Sequence, residues 1–333
     1  MTSDTTSSSS RHLLDPALAA AVDLLPALDV TSHEGIVATR ALMSQPNPAA
    51  PDPDALFPDT VRDEIQVAGR DGQPNIRVVT YAHTRPRPGA AAYLWFHGGG
   101  YVFGRTESDE ITLRRIVSET GTRIFNVDYR LAPESTAPAP LDDAYAVLAY
   151  VHENADSLGI DRRKVVVGGN SAGGGLAASL STCARDRGKY AVGLQLLLQP
   201  MLDDRTASTA EAGPYAGEFL WKPEFNRFAW QAFLGVTPGG PDTSPYSAPA
   251  RVEDPAGLPT TYIAVGALDL FAEENIEYAR RLMRAGVPTE LHLYPGAFHG
   301  FSLLPHVWTT QSYLDSMLAS LKRFLEAVAP QAD

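Results

Sequence analysis

Residues 164–184 constrain the fold more than any other stretch of this chain. Lys164-Val165-Val166-Val167-Gly168 is a short apolar, β-branched run and reads as a buried strand. Gly174 to Ala184 is rich in alanine and leucine and reads as a helix. Gly169-Asn170-Ser171-Ala172-Gly173 joins them. A strand that enters a helix through so tight a turn belongs in a layered α/β structure. The turn also has a chemical form, G-x-S-x-G, with serine between small residues. Such a turn projects the hydroxyl above the sheet, and the glycines let neighbouring backbone pass close by. The helix N-terminus behind it favours developing negative charge. A glycine-rich turn with an incidental serine has the same local form, so partner groups must be found elsewhere.

The rest of the chain supports one large α/β layer structure. Apolar runs at Val61–Val67, Ile76–Tyr81, Ala91–Phe96, Arg123–Asp128, Leu194–Leu198, Thr260–Val265 and Glu290–Tyr294 read as strands. Helical patterns at Leu141–Ala155, Glu273–Ala285 and Trp308–Val328 alternate with them. This alternation predicts a mostly parallel sheet with helices on both faces. Asp15-Pro16 opens an alanine-rich helical run to Leu25. Thr31-Ser32-His33-Glu34 offers a capping box for a helix to Met43. Prolines 46, 48, 51, 53 and 58 make an extended connector, and residues 1–12 read as disordered. Residues 203–250 break the rhythm. Phe225, Phe228, Ala229, Ala232 and Phe233 repeat at helical spacing and stop at Gly235.

Composition narrows the function. The chain has 333 residues, 44% hydrophobic and 20% charged, enough for a large core. A net charge of −12 argues against a nucleic-acid or anionic-membrane partner. Cys183 is the single cysteine, so no intrachain disulfide forms, and it reads as a packed thiol. Met1–Ser10 is polar and lacks the basic start and apolar run of a signal peptide. No segment has the length of a membrane span. A soluble cytoplasmic protein is the expectation. No metal-ligand cluster is present in the sequence. Gly173-Gly174-Gly175-Leu176-Ala177-Ala178 formally fits a dinucleotide fingerprint but lacks the acidic residue that should follow. No cofactor is expected.

Three further segments complete an acyl-transfer site. His299 lies in Pro295-Gly296-Ala297-Phe298-His299-Gly300-Phe301, just beyond the last strand, where ligands bind in open α/β sheets. His292 sits within that strand and His306 on the following helix, so both are weaker candidates. Asp269, in Gly266-Ala267-Leu268-Asp269-Leu270, also follows a strand. Glu273 and Glu274 read as charges at a helix start. The order Ser171, Asp269, His299 matches a nucleophile, an orienting acid and a base. His97-Gly98-Gly99-Gly100 follows the Leu94–Phe96 strand, and its Cβ-free backbone can aim N–H groups at an oxyanion.

Together these motifs resemble the hormone-sensitive-lipase-like α/β-hydrolases, a group with many bacterial carboxylesterases. The resemblance rests on HGGGYVFG (97–104), DYRLAPE (128–134) with Leu141-Asp142-Asp143, GNSAGG (169–174) and GAFHGF (296–301). It covers nearly everything from Val61 onward. It implies an α/β-hydrolase fold with a helical cap: 55–202 and 246–330 catalytic, 13–54 and 203–245 cap. It implies a triad of Ser171, Asp269 and His299, with an oxyanion hole at Gly98, Gly99, Gly100 and Ala172. It implies hydrolysis of a small-molecule ester and is compatible with a homodimer, and the aromatics of the insertion favour esters of short to medium chain. Two features depart from the family. Asn170 stands where Asp or Thr is usual. Asp269-Leu270-Phe271-Ala272-Glu273-Glu274 lacks the customary arginine. An amidase, lactonase or drug-ester deacylase with the same triad is the alternative. A non-catalytic binding protein on this fold is disfavoured by the presence of His299.

Overall fold

Alternating side chains on the central strands set the architecture. Val165 and Val167 bury on one side of the sheet and Val166 on the other. Tyr93 and Trp95 likewise oppose Leu94 and Phe96. Strands that are apolar on both faces must be covered on both, which is the physics of a parallel sheet between helical layers. The computed structural model describes residues 9–45 and 51–328. Its eight strands are β1 (Thr60–Val67), β2 (Ile76–His83), β3 (Ala90–Phe96), β4 (Arg123–Val127), β5 (Ile160–Asn170), β6 (Leu194–Leu198), β7 (Thr260–Gly266) and β8 (Thr289–Tyr294). They form one sheet in the order β1-β2-β4-β3-β5-β6-β7-β8. β2 is antiparallel to β1 and β4; every other pairing is parallel.

The described helices are α1 (Pro16–Ala19), α2 (His33–Met43), α3 (Pro53–Leu56), α4 (Glu110–Thr120), α5 (Ala139–Glu153), α6 (Ala155–Leu158), α7 (Ala172–Arg187), α8 (Pro223–Leu234), α9 (Ala272–Arg284) and α10 (Trp308–Ala327). α5, α7 and α9 pack on one face, together with α8 and its aromatic surroundings. α4 and α10 cover the other. Each fully buried valine of β5 contributes roughly 1.5–3 kcal/mol relative to exposure. The DYRLAPE motif fastens β4 to α5: Arg130 forks onto the buried Asp143 at 2.7–3.0 Å, and its own N–H donates to the same carboxylate.

The structure corrects several readings. Pro16–Leu25 is not one helix: α1 stops at Ala19 and Val22–Leu24 is a separate 3-10 turn. The Thr31–Glu34 capping box does not form: the cap falls one residue later, where Ser32 Oγ accepts the Gly35 N–H at 3.0 Å, and the Thr31 N–H and hydroxyl both go to Asp29. Helix α4 carried no reading in the sequence. Of the residues 1–12 expected to be disordered, Ser10–His12 lie in the 3-10 turn Ser10–Leu13, and Glu218 accepts from Ser9 and Ser10. Residues 1–8 and Pro46 and Pro48 lie outside the described residues. Among the described residues no helix is long and apolar enough to cross a membrane.

Candidate active site

β5 carries Ser171 to the carboxyl edge of the sheet and hands it to α7. Ser171 sits at φ 57°, ψ −119°, a region costly for any side chain. Three backbone hydrogen bonds hold it there. Its N–H donates to Leu198 at 2.8 Å, and its carbonyl accepts from Gly175 and Met201 at 3.0 Å. Gly173 is required by a close approach: a Cβ there would stand 2.0 Å from the Phe96 carbonyl oxygen. The Ser171 side chain does not cap α7, so its hydroxyl is free for another partner.

That partner is His299. The turn after β7 brings Asp269, and the loop after β8 brings His299, to the same edge. His299 Nδ1 lies 2.8 Å from Asp269 Oδ2, and Nε2 lies 2.9 Å from Ser171 Oγ. A carboxylate only accepts, so Nδ1 carries the proton and donates. Nε2 is then bare and accepts the Ser171 O–H. All three residues are buried. Asp269 Oδ1 accepts the Phe271 N–H at 2.8 Å, and the Phe271 and His299 rings pack T-shaped with centroids 4.9 Å apart. The carboxylate and the imidazole are thus each fixed by a second contact.

One residue at this edge has no place in the sequence reading. Gln199, directly after β6, accepts the Gly300 N–H at 2.7 Å and donates to Tyr313 at 3.3 Å. It anchors the loop that carries His299. Its signal was positional: like Asp269 and His299, it follows a parallel strand.

The glycine loop is pinned from below. His97 is buried, its Nδ1 donates to the Gly98 carbonyl at 2.8 Å, and its ring stacks on Tyr129 at 4.4 Å. Burial lowers the His97 pKa, which suits a neutral structural imidazole. Tyr129 donates its hydroxyl to the His97 carbonyl. Gly98 and Gly99 line the pocket that holds Ser171 and His299. Gly100 and Ala172 are buried beside it, Gly100 against Trp221 and Ala172 at the start of α7.

The pocket has a volume of about 150 Å³. Its walls come from the N-terminal segment (Pro26, Leu28, Arg40, Met43), the insertion (Leu220, Trp221) and the loop after His299 (Leu303), besides the glycine loop. Arg40 locks the first of these. It forks onto Glu134 and donates to the Val102 and Ala132 carbonyls. Glu274 secures the root of the insertion. It lies in the first turn of α9, as the sequence indicates, but it is buried and accepts N–H groups from Leu202 and Asp203 and the Thr206 hydroxyl. Burial drives its carboxyl well above the usual range. His292 pairs with Glu290 at the sheet edge, and His306 lies in a turn ahead of α10; neither lines the pocket. Cys183 is buried, and burial raises its thiol pKa.

The chain is similar to known proteins. A family model described as the alpha/beta hydrolase fold matches residues 93–303, from β3 through the His299 loop. The chain belongs to the α/β-hydrolase family. Its motifs set it in the hormone-sensitive-lipase-like group. Among similar hydrolases, the carboxylesterase NlhH of Mycobacterium tuberculosis is 32% identical over 94% of this chain and 97% of its own. The carboxylic ester hydrolase LipN of the same organism is 35% identical over 80% of this chain and 70% of its own. The structure of a bacterial heroin esterase superposes with a TM-score of 0.85 at 36% identity, covering 95% of this chain and 99% of that one. Esterase LipW from Mycobacterium marinum gives 0.84 at 34% identity, covering 95% and 97%.

Proposed function

We propose that this hydrolase is a serine carboxylesterase acting on short- to medium-chain esters. The relay Asp269–His299–Ser171, at 2.8 and 2.9 Å, carries the reading. Ser171 Oγ attacks the ester carbonyl while His299 Nε2 takes its proton. Asp269 holds the imidazole tautomer and stabilises the cation that forms. Backbone N–H groups of Gly99, Gly100 and Ala172, in a loop shaped by Gly98, receive the oxyanion. His299 returns the proton to the leaving alcohol, and the acyl-enzyme remains. Water, deprotonated by His299, then releases the acid and restores Ser171.

The pocket supports the size class. A cavity near 150 Å³ is about the volume that accommodates a benzene ring. A short acyl chain fits it and a long one must leave it. Residues 13–54 and 203–245 act as the cap, since both contribute pocket wall. The relatives named as esterases favour esters over amides and lactones, and drug esters fall within the same class. The test is hydrolysis of p-nitrophenyl acetate, butyrate and palmitate, with Ser171→Ala as control. Turnover of the short esters, abolished in Ser171→Ala at unchanged circular dichroism, is the expected result. Full activity in that variant, or a clear preference for palmitate, overturns the reading.

A further inference from the structure

The pocket holds one carboxylate that ester cleavage does not use. Asp109 ends the 3-10 turn Thr106–Asp109 after the glycine loop, and it lines the pocket shared by Ser171 and His299. Trp95, on β3 just before His97, donates Nε1–H to Asp109 Oδ2 at 2.8 Å. That bond fixes the direction of the carboxylate. Oδ1 has no hydrogen-bond partner among the described residues, yet it is not one of the sealed, unsatisfied polar atoms. It therefore opens to accessible space.

Among the described residues no cation pairs with Asp109. Arg40 is saturated by Glu134 and two carbonyls. Arg114 pairs with Asp54 and with Glu110, the neighbour of Asp109. Arg105, also in the pocket wall, donates to the Ser44 carbonyl at 3.3 Å, has no carboxylate partner among the described residues, and keeps a buried Nε without an acceptor. Burial pushes the Asp109 carboxyl up to about 6, the Trp95 N–H acts against it, and no cation contributes. A carboxylate left without a counter-charge beside an apolar pocket is unfavourable until a ligand supplies one.

We propose that Asp109 is a specificity residue that receives an ammonium group carried by the ester substrate. The substrate class is then an ester whose acyl or alcohol part bears a protonated or quaternary amine. The net charge of −12 draws such cations toward the molecule. This inference rests on the ester-hydrolase reading and deepens it.

Three acetates of similar size test it at pH 8: 2-(trimethylammonio)ethyl acetate, its uncharged isostere 3,3-dimethylbutyl acetate, and the anion acetoxyacetate. The wild type prefers the cation over the isostere in kcat/KM by roughly ten- to hundredfold, the range for a contact with a charged group. Asp109→Asn keeps an acceptor for Trp95 but removes the charge, and the ratio falls to near one. The ratio is taken within each variant, so a loss of folded enzyme cancels. A wild-type ratio of one or less, a ratio that survives Asp109→Asn, or a preference for acetoxyacetate overturns the proposal; the last result assigns the role to Arg105. If none of the three is hydrolysed, and p-nitrophenyl acetate is not either, the ester-hydrolase reading fails. Calorimetric titration with tetramethylammonium then decides Asp109 alone: binding lost in Asp109→Asn upholds its role, and no binding to the wild type refutes it.

Discussion

A Cβ built on Gly100 would stand 2.3 Å from the indole of Trp221. Gly100 also has φ of 60°, where glycine alone is at ease. Trp221 comes from the insertion, is buried, and lies 6.2 Å from His299 between ring centroids. The glycine loop and the insertion thus press on one another where neither has room to yield. Gly100→Ala is expected to lower kcat for p-nitrophenyl acetate about a hundredfold or more, as loss of an oxyanion donor does. Adding Trp221→Ala relieves the clash but not the dihedral strain, so recovery should be partial. Wild-type kcat in Gly100→Ala would contradict the assignment.

Asp269→Asn tests the tautomer argument. Asparagine preserves the shape of the site but can donate to Nδ1, which turns the imidazole proton toward Ser171. A fall in kcat on the order of 10⁴-fold is expected, with the fold retained. Steady-state kinetics beside near-UV circular dichroism checks this. A loss below tenfold would show that Asp269 does not orient His299.

Glu274 gives a pH-dependent prediction. Its folded pKa is raised by burial, so the native state holds more protons at this group than the unfolded state does. Stability from this residue therefore falls as pH rises above the ordinary carboxyl range. Glu274→Gln removes that penalty while keeping an acceptor for Leu202 and Asp203. Its Tm should exceed the wild-type Tm at pH 8, with the gap narrowing toward pH 5. Glu274→Ala, which orphans buried N–H groups, should instead destabilise by about 1–3 kcal/mol. A Gln variant less stable at pH 8 than at pH 5, relative to wild type, would reverse the assigned sign.

The Arg40–Glu134 fork behaves oppositely. Hydrogen bonding to Arg40 holds the Glu134 carboxyl down to about 2. Its contribution is complete above the ordinary value near 4.5 and disappears as pH falls through 2. Glu134 is half exposed, so the effect should stay within about 1 kcal/mol. Thermal melts of wild type and Glu134→Gln should differ at pH 6, with the gap shrinking steadily as pH falls from 4.5 toward 2. A constant difference across that range would exclude the ion pair as its source.

The strands and the hydrogen-bonded trio of Ser171, His299 and Asp269 were legible because each carries its own chemistry. Val165–Val167 announced a buried strand, and Ser171, Asp269 and His299 each follow a strand. What escaped notice depends on contacts between distant segments. Glu274 has the local pattern of a helix-start charge, and only the fold brings Leu202 and Thr206 to it. Gln199 looks like any polar residue after an apolar run. The break after Ala19 escaped because an alanine-rich stretch has high helix propensity whether or not tertiary contacts bend it. Helix α4 escaped because Arg114 occupies its buried face, a cation no periodicity rule expects there.

The clasp of Ser9 and Ser10 on Glu218 makes the wall of the pocket a composite object. Asp15 continues it, donating its N–H to Gly296 and accepting from Thr309. Segments nearly three hundred residues apart in the chain are buttoned together, and the Gly296 contact ties them to the loop that carries His299. Engineering that swaps residues 203–245 from a relative would transplant one panel of a two-panel door. The N-terminal panel would have to travel with it.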